Sequence, residues 1–512
     1  MTAITMSFST GHLIAGQWQT AEGLTFQAMN PSNQTPLAGE FLNADTPQVS
    51  SALSAANEAF QHYRQCSRQK RAQLLETIAA GLEAHKGAII ARAHLETALP
   101  IPRLEGELSR TSNQFRLFAD LLKSGEWPAS VQDDADADRK PPRPSLMRVM
   151  IPLGPVVVFG ASNFPLAFST PGGDTASALA AGCPVIVKGH PAHPGTSALC
   201  AEVIRQALAD NQLPGACFSL LQGQNPGLSA LLVEHPLTRA VGFTGSQKVG
   251  RLLFDLAVKR RDPIPFYGEL GSSNPVVLLP GAINNRGEHI ATELCASIGL
   301  GAGQFCTNPG LVLGIDSPQW QAFLLQVGKA AKEQKAQTML TAAMAEHYTE
   351  ALKDRQSLNN VKLLAKGLYP SAGQAQMQLL HTSASELLDE PALEEEIFGP
   401  TSLFVSCEDE DELLQVIQQL DGHLTATIHM EDSDAPLASH LLPTLAHQVG
   451  RLLFNGYPTG VEVCQSMQHG GPYPASTDVR STSVGSAAIE RFVRPLCLQN
   501  YPSSLEPELI TA

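Results

Sequence analysis

The chain has 512 residues, with 34 basic and 49 acidic side chains and therefore a formal charge of −15. This length predicts roughly two to four packed units, and 43% hydrophobic with 16% charged residues excludes disorder across the whole chain. The acidic balance argues against nucleic acid or a membrane surface as partners, so a protein that acts on a small molecule is the most natural class.

Two patterns divide the amino-terminal part of the chain. The start lacks the basic patch and the apolar run of a secretory signal, which predicts a cytoplasmic protein with reduced thiols. Residues 12–41 alternate apolar and polar positions around turn formers, and this predicts short antiparallel strands at a sheet edge. From Thr46 to Gly125 the spacing becomes helical, and Asp45 followed by Pro47 predicts where the first helix begins.

Residues 126–146 are rich in proline and acid, and this composition predicts a surface loop. Asp134, Asp136 and Asp138 have the spacing of a calcium-binding loop, but Arg139 stands where that loop needs glycine. The nine cysteines include no C-x-x-C pair. The sequence therefore predicts no metal site.

Strand and helix patterns alternate from residue 146 onward. Short apolar segments such as VVVF, PVIVK and FSLL are separated by helical stretches, which predicts a parallel sheet covered on both faces. A second set of strands and helices follows Cys306, and the tail from Ala487 predicts one more strand outside the core. The predicted fold class is α/β, with two such units behind a helical segment.

One cysteine lies in a setting that suits a nucleophile. Cys306 follows the glycines of GAGQFCT, which allow a tight bend, and backbone N–H groups beside it could hold a developing oxyanion. A nucleophilic thiol also needs a nearby base or a helix N-terminus that favours the thiolate. Cys183, Cys200 and Cys217 lie in apolar segments and are predicted to be inert core residues.

Two further polar residues are candidates for catalysis. Glu269, in YGELG, would be partly desolvated, and desolvation raises the pKa of a carboxyl group and suits it to general-base work. Asn163, in SNFP, follows an apolar strand and could donate its amide to an oxyanion. The plain alternatives are a turn glutamate and an ordinary loop asparagine.

Several short segments could hold a phosphate-bearing cofactor. The turn FTGSQKVG lies between a strand and a helix, where backbone N–H groups can hold a phosphate, although it lacks the third glycine of the dinucleotide fingerprint. The lysine at the end of PVIVK could contact a ribose, and the EEIFGP segment could contact a ribose and a flat heterocycle. The alternatives are a structural turn for FTGSQKVG, an exposed lysine for the end of PVIVK, and a loop for EEIFGP. The candidate residues are Lys188, Gly245, Ser246, Gly250, Leu270, Glu396 and Phe398.

Taken together and in this order, these segments closely resemble the aldehyde dehydrogenase superfamily over nearly the whole chain. The resemblance implies a Rossmann-like cofactor domain over residues 1–142 and 155–271 and an α/β catalytic domain over 272–470. It also implies bridging segments at 143–154 and 487–512, which serve oligomerisation. A homodimer or homotetramer is expected.

The resemblance also implies a role for each site residue. Cys306 would attack the aldehyde, and Asn163 with the backbone N–H of Cys306 would hold the oxyanion. After hydride leaves to the nicotinamide, Glu269 would activate the water that hydrolyses the thioester. Lys188 would contact the adenosine ribose of the cofactor. Gly245 and Ser246 would contact its pyrophosphate. Glu396 and Phe398 would position its nicotinamide ribose and ring.

Departures from the family pattern bear on the cofactor. Many members that prefer NAD carry a glutamate three residues after the lysine, where it repels a 2′-phosphate. Here Lys188 is followed by Gly189, His190 and Pro191, with no carboxylate. The sequence therefore favours NADP, or use of both NADP and NAD, although no clear arginine or threonine partner for the phosphate is found.

Two long segments, from ASNFPLAF to TSAL and from FNGYPTG to PAST, resemble one branch of the family. That branch contains the dehydrogenases of 2,5-dioxovalerate (alpha-ketoglutaric semialdehyde) and a bacterial fatty aldehyde dehydrogenase, and the former substrate is predicted. Arg110 and Gln114, four residues apart on one helix, are candidates for binding its distal carboxylate. His469 is a candidate base or substrate contact, with a structural histidine as the alternative.

Three other functions stay open at this point. A CoA-acylating dehydrogenase would pass the acyl group to CoA, a cysteine hydrolase would work without a cofactor, and a non-catalytic structural protein would use only the fold.

Overall fold

The computed structural model describes residues 8–20, 23–125, 127, 131–358, 360–502 and 504–505. Its strands, in chain order, are β1 (His12–Ile14), β2 (Gln17–Gln19), β3 (Thr25–Phe26), β4 (Met29–Asn30), β5 (Thr35–Pro36), β6 (Phe41–Leu42), β7 (Val131–Asp133), β8 (Leu146–Pro152), β9 (Val156–Phe159), β10 (Val185–Lys188), β11 (Phe218–Leu221), β12 (Ala240–Thr244), β13 (Phe266–Glu269), β14 (Val276–Leu278), β15 (Leu311–Ile315), β16 (Gln337–Thr338), β17 (Lys362–Lys366), β18 (Gln374–Ala375), β19 (Gln378–Ser383), β20 (Thr401–Cys407), β21 (His423–His429), β22 (Val449–Phe454) and β23 (Val493–Gln499).

The helices of the described residues, in the same order, are α1 (Thr46–Tyr63), α2 (Arg68–Ala84), α3 (Lys86–Thr97), α4 (Ile101–Ser124), α5 (Gly173–Ala181), α6 (Pro194–Asp210), α7 (Pro226–Glu234), α8 (Gln247–Lys259), α9 (Pro280–Gly299), α10 (Pro318–Lys332), α11 (Ala342–Ser357), α12 (Ala384–Asp389), α13 (Glu410–Gln419) and α14 (Ala435–Gln448). Among them, none combines the length and the apolar character that crossing a bilayer requires.

A seven-stranded sheet in the order β13-β12-β9-β10-β11-β1-β2 occupies the first half of the chain. Strands β9 to β13 run parallel, and Val185 of β10 lies opposite Val156 and Phe218 of its two neighbours. The apolar residues of these central strands are buried, as the layers of helices on both faces require. All five strands therefore end at one edge, where ligands bind to sheets of this kind.

A second seven-stranded sheet has the order β17-β19-β20-β15-β14-β21-β22. Its strands are parallel except β17, which pairs antiparallel with β19. Two hydrophobic clusters cover its faces, one with Leu313, Val405 and Leu441 and the other around Trp320 and Phe404. The two sheets follow one another along the chain, so the loop that carries Cys306 belongs to the second.

A three-stranded sheet in the order β23-β8-β7 shares no strand with the two large sheets. It confirms the predicted strand in the carboxyl-terminal tail, since β23 pairs with β8 from Val493 opposite Pro152 to Gln499 opposite Leu146. The prediction of a loop over residues 126–146 is wrong in one place, because β7 pairs with β8 there. All three residues of β7 are exposed, so the strand lacks the alternation of buried apolar and exposed polar residues by which a sequence predicts a strand.

The predicted helical segment forms α1 to α4. The backbone N–H of Asp45 donates to Gln48 Oε1 over 3.2 Å, and Pro47 stands in the first turn of α1, which confirms the predicted start. Helix α2 packs along α4, and Leu75 and Phe115 are fully buried in that interface. Burial of each such side chain stabilises the fold by about 1.5–3 kcal/mol. This packing fixes α4, which reaches the site described next.

Candidate active site

A cavity of about 380 Å³ opens where the segments after β9, β12 and β13 face the loops of the second sheet. This is the carboxyl edge of the first sheet, the position expected for a ligand. The predicted site residues that line the cavity are Asn163, Gly245, Ser246, Leu270, Cys306, Glu396 and Phe398.

The loop that carries Cys306 is held in an uncommon backbone conformation. Gly301, Ala302 and Gly303 have φ values of 57°, 58° and 66° in succession. Glycine adopts this left-handed region freely, whereas alanine does so at a cost of roughly 1–2 kcal/mol. A Cβ on Gly303 would approach the carbonyl carbon of Gly399 to 2.2 Å. The glycines therefore permit the close backbone contact that aims the Cys306 thiol into the cavity.

Cys306, Glu269 and His469 meet at one point. His469 Nε2 lies 3.6 Å from Cys306 Sγ and 2.9 Å from Glu269 Oε1. One ring nitrogen thus faces both the thiol and the carboxylate, and it carries at most one proton. The imidazole can therefore accept a proton from the thiol or donate one to Glu269, but not both at once. The ring is 1% exposed, and its Nδ1 has no hydrogen-bond partner among the described residues.

The stretch of chain that carries His469 also holds the carboxylate of Glu269 in place. The Ser483 hydroxyl donates to Glu269 Oε2 over 2.5 Å. Glu269 also forms an isolated antiparallel bridge with Ser476, next to a hydrogen bond from Leu270 N–H to the Ala475 carbonyl over 2.8 Å. Residues 469–483 therefore add backbone pairing to the edge of β13 and hold the carboxylate beside the imidazole.

The ionisation of the pair differs from what the sequence predicted. Burial alone would raise the pKa of Glu269, as expected, but the His469 imidazole, the Ser483 hydroxyl and the Cys306 thiol together hold that pKa below its ordinary value. The prediction of a raised pKa is therefore wrong, because it took no account of these partners. Burial and then the charge of Glu269 raise the pKa of the Cys306 thiol well above its ordinary value. The resting pair at neutral pH is a thiol beside a carboxylate.

Asn163 lies where β9 ends and contacts the loop of the nucleophile. Its Nδ2 donates to the carbonyl of Gln304 over 3.1 Å, and the side chain of Gln304 accepts from the N–H of Leu340 over 3.0 Å. The Asn163 amide is therefore already oriented toward the segment that precedes Cys306. An amide N–H in this position can donate to an oxyanion that forms at the thiol.

The glycines and the serine predicted after β12 differ in their exposure to the cavity. Gly245 and Ser246 are exposed at the start of α8, beside the N–H groups of its first turn. The N–H of Gly245 donates to the carbonyl of Glu269 over 3.1 Å. Gly250 is buried instead, and a Cβ there would approach Leu270 Cδ2 to 2.1 Å. Gly250 therefore serves close packing and does not line the cavity.

The EEIFGP segment forms the opposite wall. Glu396 is exposed, and a Cβ on Gly271 would approach its Oε2 to 2.6 Å, so the glycine makes room for this carboxylate. The ring of Phe398 is partly exposed beside it. A carboxylate and a flat ring on one wall can bind hydroxyl groups and a planar heterocycle.

Lys188 lies at the carboxyl end of β10, opposite Phe159 and Leu221, and does not line the cavity. Burial lowers the pKa of its ammonium group to about 8. The residues that follow it bring two imidazoles together, since the rings of His190 and His193 stack with centroids 5.3 Å apart.

Arg110 and Gln114 line a separate narrow pocket together with Phe168 and Ser483. The Arg110 guanidinium stacks over the Phe168 ring at 4.9 Å, and its Nε donates to the carbonyl of Val461 over 3.2 Å. Burial lowers the pKa of Arg110, while the nearby Glu107, Cys306 and Glu269 favour its charged form. The pocket touches the catalytic cluster through Ser483, and it brings a cation near the thiol.

Arg103 is a residue of the site that sequence reasoning missed. Its guanidinium stands over the rings of Phe305 at 4.6 Å and Phe164 at 5.1 Å, and its Nη2 donates to the carbonyl of Asn163 over 2.8 Å. It therefore links the loop of the oxyanion donor to the loop of Cys306. Nothing in the sequence signals this contact, because 60 residues separate Arg103 from Asn163.

Replacing Arg103 by methionine should lower kcat about 10-fold while KM for the aldehyde changes by less than about 3-fold, because misplacement of the reacting groups affects the transition state most. Steady-state kinetics and the melting temperature measure this. Arg103→Lys should restore only part of kcat, since an ammonium group cannot stack on both rings. A kcat that stays unchanged in Arg103→Met would show that the link does not position the site.

The Aldehyde dehydrogenase family model matches residues 18–494. The chain is 48% identical over 506 residues to alpha-ketoglutaric semialdehyde dehydrogenase 2 of Azospirillum brasilense, which covers 98% of this chain and 96% of that protein. It is 43% identical over 509 residues to the alpha-ketoglutaric semialdehyde dehydrogenase of Acinetobacter baylyi, covering 99% of this chain and 96% of that one.

Two solved structures illustrate the fold. Betaine aldehyde dehydrogenase of Staphylococcus aureus, in complex with NAD+, has a TM-score of 0.83 at 18% identity and covers 97% of each chain. An NADP-dependent enzyme of E. coli has a TM-score of 0.81 at 21% identity, covering 96% of this chain and 98% of that chain. These likenesses confirm the predicted architecture.

Proposed function

This chain belongs to the aldehyde dehydrogenase family and is an oxidoreductase that acts on aldehydes, and from that premise we propose that it oxidises 2,5-dioxovalerate to 2-oxoglutarate with NADP or NAD. Cys306 and Asn163 line one cavity, and His469 Nε2 lies between the Cys306 thiol and the Glu269 carboxylate; this arrangement carries the proposed reaction. The names of the two relatives with 48% and 43% identity support the substrate.

The cavity fits the nicotinamide half of such a cofactor. The first turn of α8 presents backbone N–H groups beside Gly245 and Ser246, and a helix N-terminus suits a pyrophosphate. On the facing wall, Glu396 suits the ribose hydroxyls and Phe398 suits a flat ring. When bound, NAD(P) accepts the hydride that leaves the aldehyde carbon.

The side chains divide the remaining steps between them. In the tautomer that carries its proton on Nδ1, His469 Nε2 accepts the thiol proton of Cys306, 3.6 Å away, as the sulfur attacks the aldehyde carbon. Asn163 Nδ2 and the backbone N–H of Cys306 donate to the oxyanion of the thiohemiacetal. Once hydride has left and a thioester remains, Glu269 takes a proton from the attacking water. The free acid then leaves as His469 returns its proton to the sulfur, and Glu269 releases to solvent the proton that it took from water.

Arg110 provides the charge that a substrate with a distal carboxylate requires. Its guanidinium lies close enough to interact with the Glu269 carboxylate and with a thiolate at Cys306, and it belongs to a chain with a net charge of −15. A local cation is needed in such an acidic protein to attract an anionic substrate. Gln114 Nε2, which is buried without a hydrogen-bond partner among the described residues, is a second donor in the same pocket.

The choice between NADP and NAD depends on the segment after β10. Lys188 supplies a cation for the adenosine ribose or its phosphate, and no carboxylate follows it in Gly189, His190 or Pro191. Without a carboxylate to repel a 2′-phosphate, NADP is accepted and is favoured over NAD. The ratio of kcat/KM for the two cofactors measures this, and a strong preference for NAD would contradict it.

A panel of aldehydes with either cofactor tests the substrate, with reduced cofactor as the readout. We expect kcat/KM for 2,5-dioxovalerate to exceed that for hexanal by at least about 10-fold, because a buried charge-assisted contact contributes about 1.5–3 kcal/mol. A higher value for a medium-chain or long-chain aldehyde would contradict the substrate. A requirement for CoA would contradict hydrolysis by Glu269, and turnover without cofactor would indicate a hydrolase.

The proposed assembly is a homodimer or homotetramer in the cytoplasm. Two features support self-association. The three-stranded sheet with β23 shares no strand with the two large sheets, and its strand β23 has exposed residues. Val249 and Leu252, three residues apart on α8, are 46% and 61% exposed. Light scattering of the purified protein measures the number of subunits.

A further inference from the structure

Cys306, His469 and Glu269 form a mixed set of sulfur, nitrogen and oxygen ligands whose atoms all lie within 4.8 Å of one another. We propose that this set is an inhibitory binding site for Zn²⁺, in which the ion caps the thiol and stops the dehydrogenase. The site itself needs only the three side chains, whereas the inhibition rests on the proposed role of Cys306.

The distance between the sulfur and nitrogen ligand atoms matches a tetrahedral zinc site. With Zn–S of about 2.3 Å and Zn–N of about 2.0–2.1 Å, tetrahedral angles place sulfur and nitrogen about 3.6 Å apart. The observed distance from Cys306 Sγ to His469 Nε2 is 3.6 Å. The distance from His469 Nε2 to Glu269 Oε1 is 2.9 Å, and a small separation of the two side chains brings it to the roughly 3.3 Å that a shared ion requires.

The surroundings suit a bound ion in two respects. Glu269 Oε2 already accepts from the Ser483 hydroxyl, so an outer partner orients the carboxylate while Oε1 faces His469 Nε2 at 2.9 Å. Cys306 lines the cavity, which leaves the fourth position of the ion facing open space for a water molecule. Three protein ligands and one water complete four-coordination.

The binding step is balanced without any redox partner. The thiol proton is released to solvent, the sulfur forms a bond to Zn²⁺, and the neutral imidazole and the carboxylate contribute lone pairs. The two negative ligands neutralise the charge of the ion. The sulfur can then no longer attack an aldehyde, and removing the ion with a chelator restores the free thiol.

The test uses the full-length protein and two metal probes. Calorimetric titration with ZnCl₂ should give one site per chain, and CoCl₂ should produce the charge-transfer absorption of a cobalt–thiolate bond. Cys306→Ser should abolish that absorption. His469→Gln and Glu269→Gln should each weaken Zn²⁺ binding by at least about 10-fold. Cys464→Ser and His289→Gln, which lie outside the cluster, serve as matched controls and should bind as the unmodified protein does.

The outcomes distinguish a failure of the proposed zinc site from a failure of the proposed function. Zn²⁺ binding that survives both His469→Gln and Glu269→Gln, or cobalt binding without a thiolate band, would overturn the site, even in an active dehydrogenase. Binding that depends on all three residues, in a protein that oxidises no aldehyde, would support the site and refute the proposed function. Circular dichroism of each variant establishes that it is folded, and protection by the aldehyde substrate is the expected sign that both bind at Cys306.

Discussion

In Glu269→Gln, the first turnover should remain while later turnovers slow by about 100-fold or more. The amide cannot accept a proton from water, and general-base catalysis of this kind contributes about 10²–10⁴-fold. Cys306 keeps His469 as its proton acceptor at 3.6 Å, so thioester formation should continue. Rapid mixing with 2,5-dioxovalerate and NADP should show a burst of about one reduced cofactor per site, followed by a slow phase.

The burst also distinguishes which group takes the thiol proton. Loss of the burst in Glu269→Gln would show that the carboxylate, which lies 2.9 Å from the same imidazole nitrogen, is needed before the thioester forms. Glu105→Gln is the matched control, because Glu105 is an exposed carboxylate on α4 away from the cavity. That variant should show the kinetics of the unmodified enzyme.

Arg110→Met should lower kcat/KM for 2,5-dioxovalerate by about 10- to 100-fold, since a hydrogen bond to a charged group contributes about 1.5–3 kcal/mol. For hexanal, which has no carboxylate, the change should stay within about 3-fold. Methionine retains an unbranched apolar stem that can pack on Phe168, so the variant removes mainly the charge. Parallel measurements with the two aldehydes give the ratio.

Arg116→Met provides the comparison for Arg110. Arg116 lies on the same helix but is exposed and pairs with Glu83 at 2.6 Å, so its loss should affect neither substrate. An equal decrease for both aldehydes in Arg110→Met would show that Arg110 supports the local structure and does not recognise the carboxylate.

The regular parts of the fold were predictable because local patterns determine them. Short runs of buried, mostly apolar residues predicted β9 to β12, and Asp45 with Pro47 predicted the start of α1. The edge strands β7 and β17 were not predicted. Most of their residues face solvent, so their hydrophobic pattern is weak.

The site was predictable only as a set of separate motifs. Cys306 stood out among the cysteines by its glycine-rich surroundings, and the motifs around Glu269 and Asn163 indicated their chemistry. The relations between them were not predictable, since His469 lies 163 residues from Cys306 and approaches it only through the tertiary fold. The lowered pKa of Glu269 follows from those long-range contacts and could not be derived from its local sequence.

The stretch 469–483 supplies the imidazole, the hydroxyl that orients Glu269, and the backbone pairing at the edge of β13. It also packs against the second sheet, where a Cβ on Gly471 would approach the carbonyl oxygen of His423 to 2.3 Å. These contacts form one cooperative unit. A local opening of that stretch would therefore remove the proton acceptor and release the base together, so catalysis should fail in a single step as the unit opens, before the rest of the chain unfolds.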